Sequence, residues 1–115
     1  MQINIYVTKT ELLKELNRYT RDKSLKILED CKTDLIKLYG GLSVHPTFKG
    51  HWLDNGILYT DINEIWEILT DKATYEATTK QLNQIVLSIK TLTKQKAQLI
   101  TLNPSVEPIF LTETL

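Results

Sequence analysis

The chain has 115 residues, of which 42% are hydrophobic and 24% charged, a composition that suits one domain with its own apolar core. Fourteen basic residues balance fourteen acidic ones, which excludes the overall positive field that nonspecific nucleic-acid or anionic-membrane binding requires. The single cysteine, Cys31, excludes an internal disulfide, and the chain contains no cysteine pair, no His-x-x-x-His and no glycine-rich phosphate loop.

Met1 leads directly into polar/apolar alternation, without a basic n-region or apolar h-region, and no apolar run approaches bilayer length. An intracellular, cytoplasmic location is therefore expected. Gln2 to Val7 places Ile3, Ile5 and Val7 on one face and Gln2, Asn4 and Tyr6 on the other, predicting a first strand with one buried side. Thr8-Lys9-Thr10-Glu11 reads as a capping box opening a helix through Leu12, Leu13, Leu16 and Tyr19. Leu25, Leu28, Cys31, Leu35, Leu38 and Tyr39 continue at three- and four-residue steps. The region is either one long bent helix or two helices divided near Arg21 to Ser24, where Asp22 and Ser24 can cap. Gly40-Gly41 ends it by supplying a left-handed residue.

A second strand is expected over Gly41 to Pro46, interrupted at Pro46, which donates no N–H to a ladder. From Phe48 the pattern predicts a β-hairpin turning at Asn55-Gly56, the dipeptide that a two-residue type I′ turn prefers. Trp52 can then pair across the strands with Ile57 or Tyr59. The segment Asp61 to Thr70 fits either an Asp-capped helix or a buried strand, and the hairpin favours the strand. Leu82, Ile85, Val86, Ile89 and Leu92 form one stripe of a helix from about Ala73 to Lys94. Lys96 to Leu102 alternates as a last strand, Asn103-Pro104-Ser105 turns, Pro108 to Leu111 suggests a short edge strand, and Thr112 to Leu115 reads as frayed.

The expected order, strand, helical region, strand, strand, helix, strand, is that of an α+β, ferredoxin-like single domain, 1–115, with an antiparallel sheet, helices on one face and an extended hairpin. Gly41-Leu42-Ser43-Val44, Gly50-His51-Trp52-Leu53-Asp54-Asn55-Gly56, Asp61 and Ala97-Gln98-Leu99-Ile100 together resemble a family of small bacterial domains, many of them exported. That family carries a G-L-[ST]-V strand and a G-x-W-x-D-x-x-G hairpin; here the hairpin is one residue shorter, D-N-G. The resemblance covers the first strand and most of the chain from Gly40, and it implies a fold rather than a catalytic site.

Candidate functional residues lie mainly in the hairpin region. His45 and His51, with Asp54 and Asp61 nearby, are the residue types of a metal site or general base; as hairpin histidines they read first as surface polar residues. Cys31 sits among helical apolar positions and reads as core. Tyr6, Tyr59 and Trp66 on an open sheet face would offer the stacking platform used by RNA-binding domains, yet the Lys/Arg-Gly-Phe run of such domains is missing. An uncovered surface formed by Trp52, Tyr59 or Trp66 would call for a partner. The first expectation is thus a binding or regulatory module that self-associates, as a homodimer, or binds a protein partner, with no cofactor or metal. A nucleic-acid-binding module and a small enzyme using His45 and His51 are the alternatives.

Overall fold

Alternation over Gln2–Thr8 builds the first strand, β1, and buries Ile3, Ile5 and Val7 completely while the intervening side chains stay half-exposed. In a computed structural model that describes residues 1–95 and 98–106, the elements that follow are α1 (Thr10–Leu13), α2 (Arg18–Tyr39), β2 (Ser43–Val44), β3 (Phe48–Asp54), β4 (Ile57–Leu69), α3 (Lys72–Leu92) and β5 (Ile100–Asn103). Among the described residues this is an α+β chain with three helices and a five-stranded sheet, every strand pair antiparallel. No helix among them is long and apolar enough to cross a membrane.

The sheet runs β2-β4-β1-β5, with β3 also on β4. Because Trp66 and Glu67 pair with β1 on one side and β2 on the other, and Asn63 pairs with both β1 and β3, strands β2 and β3 share one edge of β4. Val44 faces Trp66 whereas Phe48 faces Asn63, so one extra residue is accommodated between them, around Pro46. The proline interruption expected there is therefore a local bulge that separates the two short partners of one long strand.

One face of the sheet is the core. Ile5 lies opposite Trp66 and Ile3 opposite Ile68. Leu28, Cys31 and Leu35 from α2 and Leu82, Val86 and Ile89 from α3 close over them in a single apolar cluster. Each such side chain contributes about 1.5–3 kcal/mol on burial. α2 stops at Gly40, which takes φ 81° and returns its N–H to the Ile36 carbonyl, the left-handed ending expected from the sequence. Asp71 caps α3, accepting from the Thr74 N–H at 2.7 Å.

Four expectations are corrected. The helical region divides at Lys14 to Asn17, not at Arg21 to Ser24: Asn17 accepts from the Thr20 N–H and caps α2, while Leu16 is 95% and Tyr19 76% exposed. Thr8 is no cap, because it ends β1 and its hydroxyl donates to Asn63 Oδ1. The strand expected over Gly41 to Pro46 contracts to Ser43–Val44. The last strand begins at Ile100; Lys96 and Ala97, and the expected edge strand and frayed end beyond Val106, lie outside the described residues. The segment Asp61 to Leu69 is strand, as the hairpin requires.

Candidate interaction arm

β4 has thirteen residues, but β1 pairs only with Asn63 to Leu69. The remaining stretch, Ile57 to Ile62, has β3 as its ladder partner, and the two strands project as an arm roughly 20 Å long at about 3.3 Å per residue. Asn55 (φ 51°) and Gly56 (φ 78°) turn it, the two positive φ values that a type I′ turn demands. Every residue from His51 to Thr60 is exposed.

On one face Trp52 stands directly opposite Tyr59, and the rings stack with centroids 4.3 Å apart at 15°. Phe48 and Ile57 flank them. The opposite face carries Leu53 opposite Leu58. Exposure is 47% for Trp52, 69% for Leu53, 55% for Ile57 and 66% for Leu58. A strand pair with exposed apolar residues on both faces and a core on neither departs from the usual burial of apolar surface.

Asp61 fixes the base of the arm. Its Oδ2 accepts from Trp52 Nε1 at 2.8 Å and its Oδ1 from the Thr10 hydroxyl at 3.2 Å, while that hydroxyl accepts from the Ile62 N–H at 2.8 Å. Gly50 lies opposite Asp61, and a Cβ there would lie 2.9 Å from Asn63 Nδ2, so a larger residue would have to displace the Asn63 amide. The indole is thus oriented through polar bonds at the root, and the arm is held by the domain rather than by its own turn alone.

The other residues singled out in the sequence disperse. Tyr6 lies half-exposed on the sheet face away from the helices, opposite Ile65. His45 bonds Glu67 Oε2 at 2.6 Å on that same face, whereas His51 Nδ1 meets the Thr60 hydroxyl at 3.0 Å on the other. The two histidines therefore do not converge. Among the described residues no group of three or more His, Cys, Asp and Glu side chains is placed to hold a metal ion. Cys31 is buried, and burial first, with Asp34 and Asp30 adding to it, pushes its thiol above the ordinary range, which suppresses the reactive thiolate.

Trp66 requires a correction. It is fully buried on the helix-facing side, not displayed on the open face, because its parity in β4 is that of Ile68 and its neighbours across the sheet are Ile5 and Val44. Its Nε1 donates to Glu64 Oε1 at 2.7 Å, and Lys32 Nζ lies 5.4 Å from its ring centroid. Glu64 is itself 6% exposed and pairs with Lys9 at 3.0 Å and Lys32 at 3.7 Å. Burial raises the carboxyl, but the Trp66 and Lys9 bonds and the two ammonium charges outweigh it and hold the group below the ordinary glutamate range. This cluster ties the β1–α1 junction, α2 and β4 together.

The sequence reading missed Leu53, Ile57 and Leu58 as surface candidates. The available signal was the loss of alternation beside the turn: Leu53 before it and Ile57-Leu58 after it place apolar side chains on both faces at once. No family model matches the chain, and no curated protein matches it.

Proposed function

We propose that this chain is a protein-binding module, regulatory or self-associating, that works through its β3–β4 arm. The observation that carries the reading is the arm itself, apolar on both faces, 47–69% exposed at Trp52, Leu53, Ile57 and Leu58, and polar-anchored at its root through Asp61. An anchored apolar projection presents its surface with little ordering left to do on binding, and stacked Trp and Tyr are the side chains that most often concentrate binding energy. Supporting the scaffold part of the reading, β2 and β3 can be counted as one interrupted edge strand. The order across the sheet then becomes fourth, first, third, second in chain terms, the ferredoxin-like arrangement we infer for this chain. The resemblance to the small bacterial domains bearing the G-x-W hairpin agrees with that inference and assigns no chemistry.

The alternatives have less behind them. A nucleic-acid platform would draw on Tyr6 without Trp66, in a chain of zero net charge, and an enzyme would draw on histidines that bond different partners on opposite faces. The test compares the full chain with Trp52→Ala, both verified as folded by circular dichroism, for self-association and for capture of protein from an extract. Loss of association in the folded variant supports the reading. A folded variant that associates like the parent refutes it.

A further inference from the structure

We propose that the arm's occupant is a second copy of this chain, joined by antiparallel pairing of β3 with its twofold mate; this rests on the arm reading above and names its partner. The backbone supplies the first argument. Ile62 turns its N–H and C=O away from β3, donating to the Thr10 hydroxyl and accepting from the Lys9 N–H, each at 2.8 Å. In an antiparallel ladder such a residue faces a non-hydrogen-bonded partner, whose own backbone groups point outward. That partner is Lys49, and alternation extends the pattern to His51 and Leu53. Among the described residues β3 pairs only with β4, so this row of donors and acceptors lines an open edge.

The row is self-complementary. A twofold axis perpendicular to the sheet at His51 sets Lys49 against Leu53 of the second copy and His51 against its mate, so all three outward residues pair, in roughly six N–H···O=C bonds. An axis at Gly50 leaves Leu53 outside the ladder, and one at Trp52 leaves Lys49 outside it. The same register sets Trp52 beside Gly50 of the second copy, which has no side chain to displace the indole, and it gathers both Trp52 rings and both Phe48 rings on one face.

The apolar side chains of β3 supply the second argument. The exposed fractions of Phe48, Trp52, Leu53, Ile57, Leu58 and Tyr59, on side chains of roughly 150–250 Å², leave on the order of 600 Å² of apolar surface per arm. In the paired ladder Phe48, Trp52 and Leu53 of β3 lie beside the second copy, so the pairing covers their share of that surface. Zero net charge adds no long-range repulsion between copies.

The experiment is the solution mass of the full chain over a dilution series, beside His51→Pro and, as a second variant, His51→Lys, with amide exchange read by NMR. His51→Pro removes an N–H that the β3–β4 ladder does not use, so the hairpin keeps its bonds while the outer edge is blocked. His51→Lys leaves the edge intact but sets two like charges opposite each other at the axis. The expected results are a parent of twice the 13.3 kDa chain mass, monomeric variants with the parent's circular dichroism, and at least tenfold slower amide exchange at Lys49, His51 and Leu53 in the dimer than in the monomer. A parent monomeric at every concentration overturns the second-copy inference, and the Trp52→Ala capture comparison then judges the arm reading separately. A dimer that survives both variants, or one whose three amides exchange at the monomer rate, also overturns it.

Discussion

Removing the Glu64 carboxylate should cost more than removing any surface charge, because the Trp66 indole and the Lys9 ammonium are left without their partner. Glu64→Ala strands the Trp66 N–H inside the core and leaves Lys9 unpaired beside it, while Lys32 keeps its 2.8 Å pair with Glu29. Breaking a buried pair from one side costs about 3–5 kcal/mol. Both lysine side chains are 19% exposed and can partly rehydrate, which places the expected loss at about 3 kcal/mol. An unfolding entropy of about 2.1 cal/mol/K per residue converts that to a fall in Tm of about 12 °C. Glu64→Gln keeps an acceptor for the indole and loses only the charge, for about 1–2 kcal/mol at neutral pH.

The two substitutions also separate by pH. Since the Glu64 carboxyl is lowered in the folded chain, its contribution is fully present above the ordinary glutamate value of about 4.3. It is lost as pH falls through the lower folded value. The gap between parent and Glu64→Gln should therefore be largest near pH 7 and narrower at about pH 3. Denaturant unfolding at both pH values checks this. An Ala variant within about 0.5 kcal/mol of the parent would refute the account of the cluster, and so would a Gln gap unchanged at acid pH.

Three further substitutions test the scaffold. Asn17→Ala removes the cap of α2, whose side chain accepts from the Thr20 N–H, and should cost about 1 kcal/mol in denaturant unfolding. Leu35→Ala opens a cavity at a fully buried position and should cost about 2–5 kcal/mol by the same measurement. Gly56→Ala imposes a Cβ on φ 78°; a loss of about 1 kcal/mol is expected, with NMR shift changes confined to the arm.

Where local chemistry decides structure, the sequence was legible. Ile3, Ile5 and Val7 declared a half-buried strand by period, Gly40 declared a helix end, and Asn55-Gly56 declared the turn, because each pattern has few conformations that satisfy it. The division of the helical region was not legible in the same way. Leu16 and Tyr19 keep helical spacing, yet they fall in the break and its exposed flank, and periodicity cannot register that the core ends before them. Trp66 and Trp52 look alike in the chain but differ by parity in their strands and by whether helices cover that part of the sheet. Glu64 shares the alternation of Trp66 and Ile68, which marks it as inward-facing; its lysine partners come from Lys9 and Lys32, whose approach only the folded chain reveals. The arm surface lies between these cases, its turn evident and its lack of cover a matter of how far β4 outruns β1.

The most direct test of the arm as the association surface is photo-crosslinking in cells, with a photoreactive residue placed in turn at Leu53, at Leu58 and, as a control, at the exposed Glu76 of α3. Discrete covalent adducts from both arm positions and none from position 76 are the result expected, whether the adduct is a second copy or another protein. Arm positions that yield no adduct, or no more than Glu76 does, would contradict the account.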